Sequence, residues 1–262
     1  VSPICVEREG AIARITLNRP DAGNAIDLVL AQALATAAEE CAGDTSVRCV
    51  VLAGAGRFFC VGGDVPAFAA AGSEVPAFLR TLADTLHGAI VTLARMPKPL
   101  IVAVNGPAAG AGLSLALLGD VVIAARSTHF TAAYTGIGLT PDGGMSWLLP
   151  RLIGLRRAQS MILTNERVTA VEAVAIGLVT RVVEDDELRG EVGLIANRLI
   201  ASSTAAIGVA RGLLLDGAAA GFEQQLDREA ESISRTGGSP EAREGVAAFL
   251  AKRKPNFDGA GS

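Results

Sequence analysis

Three five-residue runs, Cys49-Val-Val-Leu-Ala53, Leu100-Ile-Val-Ala-Val104 and Val121-Val-Ile-Ala-Ala125, contain no charged, amide or hydroxyl side chain. A strand with one wet face alternates apolar and polar residues, so uninterrupted runs belong to strands covered on both faces, as in a parallel sheet between helices. The connections agree with this. A loop from Gly54 to Asp64 follows the first run, and the apolar spacing then predicts a long helix over residues 75–95. Pro97 and Pro99 mark its end, because proline cannot continue a helix and disfavours helical geometry in the residue before it. A further helix is expected from about Gly112. Strand, helix, strand at this spacing requires right-handed crossovers and a mostly parallel sheet.

Residues 4–8 and 11–17 flank Glu9-Gly10 and read as a hairpin. Asp27 is a good N-cap for a helix through about Glu40, with Leu30, Ala31, Leu34 and Ala38 on its apolar stripe. Beyond residue 142 the pattern turns helical, over residues 147–152, 157–164 and 170–176, with one more strand at 178–183. Further helices are expected over 191–201, 205–215, 222–234 and 242–251. The chain therefore divides into an α/β core over residues 1–190 and a helical part over 191–262, with no low-complexity linker between them.

Composition removes several classes of partner. A formal net charge of −4 with 19% charged residues gives no electrostatic footprint for nucleic acid, and no run reaches the ~18 apolar residues a membrane span needs. Cys5, Cys41, Cys49 and Cys60 form no CxxC and keep no metal-ligand spacing with His87 or His129, so reduced thiols and no metal site are expected. The first residues carry no basic stretch leading into an apolar one. A cytoplasmic protein is the expectation.

Chemistry gathers on two glycine-rich turns and one acid. Phe58-Phe-Cys-Val-Gly-Gly-Asp64 follows the first buried strand, where the Gly63 N–H is free to face a ligand. Asn105-Gly-Pro-Ala-Ala-Gly-Ala-Gly112 follows the second and opens a helix, where unpaired N–H groups and the helix dipole favour negative charge. Two such donors can form an oxyanion hole. Asp142, in Gly138-Leu-Thr-Pro-Asp-Gly-Gly144, is the accompanying acid, or else a turn or N-cap residue. An α/β-hydrolase reading of Gly112-Leu-Ser-Leu-Ala116 fails because Ser114 lies too far past its strand and no histidine follows His129. A dinucleotide fingerprint fails because Gly110-Ala-Gly112 continues as Leu-Ser-Leu.

Phe59-Cys-Val-Gly-Gly-Asp64, Lys98-Pro-Leu-Ile-Val-Ala-Val-Asn-Gly106, Ala109-Gly-Ala-Gly112, Gly138-Leu-Thr-Pro-Asp142 and Glu244-Gly-Val-Ala-Ala-Phe-Leu-Ala-Lys-Arg-Lys-Pro-Asn-Phe257 together resemble the enoyl-CoA hydratase/isomerase, or crotonase, superfamily. The resemblance spans essentially the whole chain. It implies a spiral of ββα units with a helical C-terminal trimerisation region, an acyl-CoA thioester substrate, and no cofactor, since CoA is part of the substrate. It also implies an enolate held by the N–H groups of Gly63 and Ala111, and a homotrimer or dimer of trimers.

The resemblance places Val61, Gly62, Asp64, Gly110, Ser114 and Tyr134 against the substrate, with Phe249 and Lys252 toward its CoA moiety. Where some relatives carry an aromatic residue, this chain has Ile233. The positions of the two hydratase glutamates hold Ser114 and Tyr134, neither a good proton acceptor near neutrality. Asp142 stands where ring-epoxide isomerases of phenylacetyl-CoA breakdown carry their catalytic aspartate, which implies an isomerase with Asp142 as proton shuttle. A free aspartate titrates near ~4, so such a role asks its surroundings to favour the neutral acid. Aryl-CoA dehalogenases use the same position as a nucleophile and need a histidine base. His87 is the candidate, against its reading as a partly exposed helix residue. A weakly active hydratase and a non-catalytic acyl-CoA binder are also compatible with these residues.

Overall fold

The computed structural model describes residues 2–257. β1 (Ile4–Glu9) and β2 (Ile12–Leu17) form the expected hairpin, with Gly10 at φ +57° in the turn. α1 (Leu28–Gly43) starts where Asp27 accepts the Leu30 N–H at 2.8 Å, and it leads to β3 (Cys49–Gly54). The short α2 (Val65–Ala70) and the long α3 (Val75–Arg95) precede β4 (Leu100–Val104). Then come β5 (Ala108–Ala109), α4 (Ala111–Ala116), β6 (Val121–Ala125) and β7 (His129–Thr131). α5 (Met145–Ile153), α6 (Leu155–Thr164), β8 (Val168–Thr169), α7 (Ala170–Ala175) and β9 (Arg181–Val183) complete the α/β part. α8 (Leu188–Ile200), α9 (Thr204–Gly217), α10 (Phe222–Gly237) and α11 (Pro240–Leu250) follow.

The main sheet has six strands in the order β1-β2-β3-β4-β6-β9, parallel throughout except for the first hairpin. Its two faces explain the apolar runs. Side chains alternate across a strand, so Val50, Leu52, Leu100 and Val102 enter the core shared with Leu30 and Leu34 of α1 and with Leu86 and Leu93 of α3. Cys49, Val51, Ile101, Ala103 and Ile123 point the other way, onto Leu188, Val192 and Ala196 of α8. Each leucine so buried is worth about 1.5–3 kcal/mol. A second sheet, β5-β7-β8, has strands of only two or three residues.

Departures from the sequence-based expectation are local. The expected strand over 178–183 shortens to β9, because Leu178 and Val179 turn into the helix-side core and the Thr180 hydroxyl accepts the Val122 N–H at 3.0 Å. α2 and the second sheet are additions, too short to show a period in the sequence. Two buried cations fasten the frame. Lys98 donates to the carbonyls of Cys41, at 2.6 Å, and Asp44, closing the end of α1, and burial lowers its pKa. Arg211 of α9 donates to Leu93 O at 3.1 Å and to Met96 O at the end of α3, and its Nε lies 2.6 Å from Asp120 Oδ2. That same oxygen accepts the Leu100 N–H at the start of β4, at 2.7 Å.

The C-terminal helices leave Leu214, Phe222, Ile233, Phe249 and Leu250 exposed. No single helix among the described residues is long and apolar enough to cross a membrane.

Replacing Arg211 by alanine leaves Asp120 without its cation and two carbonyls without donors, and is expected to lower the unfolding free energy by about 2–4 kcal/mol. Arg95→Ala, which removes the exposed pair with Asp216 at 3.2 Å, is the control, with an expected cost below ~1 kcal/mol. Urea midpoints at one fixed protein concentration compare the two, and equal shifts would contradict this account of the frame.

Candidate active site

The turns after β3 and β4 lie side by side. Cys60 and Ala108 form a parallel bridge, with the Ala109 N–H donating to Cys60 O at 2.9 Å and the Cys60 N–H to Pro107 O at 3.3 Å. Glycine makes this approach feasible. A Cβ at Gly112 would sit 2.1 Å from Cys60 O, a distance no side chain tolerates. Cys60 is part of this packing, since its fully buried thiol is pushed up to about 12 by desolvation and its Sγ lies 3.1 Å from Asn24 O.

The Gly63 amide is aimed by its neighbours. In a second parallel bridge the Ile26 N–H donates to Gly62 O at 2.7 Å and Ile26 O accepts the Asp64 N–H at 3.0 Å. This pattern uses the groups flanking Gly63 and turns its own N–H to the opposite side. Ala111 is the first residue of α4, so its N–H lacks an intrahelical acceptor. Among the described residues neither amide donates to a protein group, and both residues line one cavity of about 340 Å³. Behind the first turn, Asn24 donates from Nδ2 to Ala55 O, Phe58 O and Phe59 O, and Arg19 pairs with Asp64 at 3.0 Å. Neither Asn24 nor Arg19 stands out in the sequence. The chain break at Asn18-Arg-Pro-Asp-Ala-Gly-Asn24 is the available signal.

The cavity walls are apolar, formed largely by Phe68, Leu79, Leu82, Leu86, Ile137 and Leu139. Among the described residues, Asp142 is the one carboxylate in the lining. It does not cap α5, whose N-cap is Gly144 with no side-chain bond. Instead Tyr134 donates its hydroxyl to Asp142 Oδ1 at 2.5 Å, and the Ser114 hydroxyl donates to Asp142 O at 2.8 Å. Burial, then the neighbouring Asp142 charge and hydrogen bond, raise the Tyr134 pKa well above the usual phenol value. Ala133, just before it, holds φ +63°, a left-handed conformation that costs a non-glycine residue about 1–2 kcal/mol and helps aim the tyrosine.

Val61, Gly62, Gly63, Gly110, Ala111, Tyr134 and Asp142 therefore meet at the cavity, and Ser114 lies buried behind it. Besides Ser114, three expected substrate contacts fall outside the lining within this chain. Asp64 caps α2, accepting the Ala67 N–H at 3.2 Å, and its carboxylate is held by Arg19. Phe249 and Lys252 stand exposed at the end of α11, outside the cavity lining. His129, in β7, is also absent from the lining. His87 is closer than its place in the sequence suggests, with Nε2 3.7 Å from Asp142 Oδ2 and accepting the Gly143 N–H at 3.1 Å. No spacing rule links residues 87 and 142. Among the described residues no group of three or more His, Cys, Asp or Glu side chains is arranged to hold a metal.

Comparison with known proteins places this arrangement. The enoyl-CoA hydratase/isomerase family profile matches residues 7–260. The chain belongs to that family. It is 38% identical to the 1,2-epoxyphenylacetyl-CoA isomerase of Escherichia coli (strain K12), over 96% of each protein. It is 34% identical to 4-chlorobenzoyl coenzyme A dehalogenase-2 of an Arthrobacter species, covering 95% of this chain and 91% of that one. The crystal structure of an enoyl-CoA hydratase from Polaromonas sp. JS666 superposes with a TM-score of 0.93 at 34% identity, covering 97% of this chain and 98% of the other. The protein is thus an acyl-CoA enzyme of the enoyl-CoA hydratase/isomerase family with the crotonase fold.

Tyr134 is the single tyrosine of the chain, so its ionisation can be read without interference. In the native protein no tyrosinate absorbance is expected through pH ~10, where a free phenol is half ionised, and it should appear only on unfolding. With the folded pKa raised, the unfolded state loses its proton first, so this residue's contribution to stability is full below pH ~10 and falls as pH rises beyond it. Tyrosinate forming near pH ~10 in folded protein would place the hydroxyl in solvent, away from Asp142.

Proposed function

We propose that the protein is an acyl-CoA isomerase that moves a double bond or opens a ring epoxide by proton transfer through Asp142. The observation that carries this reading is that the cavity's single carboxylate has Oδ1 engaged by Tyr134 and Oδ2 left as the oxygen able to exchange protons. The thioester oxygen accepts from the Gly63 and Ala111 N–H groups. Asp142 Oδ2 takes a proton from carbon, the electron pair moves into the enolate, and the same carboxyl returns the proton at another atom of the substrate. Each amide is worth about 3 kcal/mol at the developing oxyanion. The identity to an epoxyphenylacetyl-CoA isomerase supports the direction.

The CoA moiety leaves the cavity past Val61 and Gly62. Phe249 and Lys252, both exposed, bind it within the same chain or from a neighbouring one. The apolar side chains exposed on α9, α10 and α11 suit burial in a homotrimer or dimer of trimers.

A second reading has one observation in its favour. His87 Nε2 at 3.7 Å from Asp142 Oδ2 would suit an aryl-CoA dehalogenase, in which Oδ2 displaces halide from the ring and His87, once its Nε2 is released from the Gly143 N–H, activates the water that releases the product. The related Arthrobacter protein carries that activity by name.

Incubation in deuterium oxide with enoyl-CoA and ring-bearing phenylacetyl-derived CoA thioesters tests the first reading. Substrate deuteration and isomer formation are expected with wild type, and a loss of at least ~100-fold with Asp142→Asn, the usual scale for a general acid-base group. Absence of both isomer formation and exchange with every thioester sinks the isomerase. Halide release from 4-chlorobenzoyl-CoA would then favour the second reading, and tight binding without turnover a non-catalytic binder.

Lys252→Ala is expected to raise the Kd for CoA a few-fold by removing one exposed charge from the phosphates. An unchanged value in equilibrium binding would remove that contact.

A further inference from the structure

The peptide that follows Asp142 lies in a glycine turn closed by the Met145 N–H, which donates to Asp142 O at 3.2 Å. Gly143 and Gly144 hold φ +63° and +82°, a region glycine enters and leaves at small cost. Three side chains also tether the segment around Asp142. Tyr134 holds Oδ1 and Ser114 holds the carbonyl oxygen. The third is His87, whose Nε2 accepts the Gly143 N–H at 3.1 Å. Accepting there requires the tautomer with its proton on Nδ1, and it uses the Nε2 lone pair. A nitrogen so engaged is not free to take a proton from water or substrate, although it lies 3.7 Å from Asp142 Oδ2.

We propose that His87 is a positioning residue for Asp142: by accepting the Gly143 N–H from α3 it fixes the peptide that aims Oδ2 into the cavity. This rests on the isomerase reading above. α3 is a rigid support for the task. Its 21 residues pack against α1, and Leu86, next to His87, is buried in the same core while lining the cavity. One helix thereby sets both a wall of the acyl pocket and the direction of the carboxylate. Displacement of a reacting group by about 1 Å can cost on the order of 100-fold in rate, which is the scale available to such a tether.

Two variants separate positioning from direct chemistry. Glutamine at position 87 can accept an N–H through its side-chain oxygen but cannot act as an imidazole base, and leucine can do neither. His87→Gln is expected to keep kcat for isomerisation within about threefold, and His87→Leu to lose about 10–100-fold in kcat with KM changed less than about threefold. Hydrogen exchange of the peptide containing Gly143 supplies a readout that needs no turnover. It should stay slow in wild type and His87→Gln and speed up at least about tenfold in His87→Leu. If wild type transfers no proton with any thioester, the isomerase reading fails, while the exchange rates still decide the tether. The proposal is overturned if His87→Gln falls as far as His87→Leu, or if His87→Leu leaves exchange at Gly143 slow.

Discussion

The whole site depends on two loops touching through bare backbone. Cys60 and Ala108 bridge as a minimal parallel pair, and the contact closes because position 112 carries no side chain against the Cys60 carbonyl. A methyl group there would force the turns apart and with them the amides of Gly63 and Ala111. Those amides are unpaired for opposite reasons. One is turned outward by a β-bridge that uses its neighbours' groups, and the other opens a helix whose first turn has no acceptors. The sheet supplies the precision, since both loops leave adjacent parallel strands with Leu52 and Ala53 opposite Val102 and Ala103. A one-residue slip of such a strand would send every side chain to the opposite face, into a core packed around a different set.

Around this contact the protein has put its charge in one place. The cavity is walled by Phe68, Leu79, Leu82 and Leu86, and the single acid in its lining is held by a phenol whose own proton is made harder to remove by burial and by that acid. Buried polar groups in such surroundings are costly unless paired. Ser114 and Tyr134 meet that requirement by donating to Asp142 rather than by acting as acids in their own right.

Much of this is legible in the sequence because each legible part leaves a periodic or punctuated trace. The both-face burial of Cys49–Gly54 shows as an unbroken apolar run, and the span Val75–Arg95 follows from its stripe and the prolines beyond it. The glycine turns and Asp142 come from motif order. What stays hidden has no local signature. The strands Ala108–Ala109 and Val168–Thr169 are two residues long, and the helix Val65–Ala70 makes fewer than two turns. Asn24 reads as a loop residue until its amide is seen to serve three carbonyls. His87 reads as a half-exposed helix position until the chain folds residue 143 onto it. Asp64, inside a binding motif, caps α2 and pairs with Arg19, so it also holds the motif together.

The absence of carboxylates at positions 114 and 134 bears on which reaction the site favours. Hydration must position a water, remove one of its protons and deliver another to carbon, tasks best divided between two groups with different affinities for protons. Here Ser114 and Tyr134 are donors already committed to Asp142, so a bound water would find one free carboxylate oxygen and no second acid in the cavity lining. Isomerisation asks for less. The proton that leaves one carbon returns to another, and the same oxygen serves both steps while the enolate waits on two amides. Apolar walls, one carboxylate and two amides open to the cavity meet that smaller demand, which is why we propose isomerisation rather than hydration.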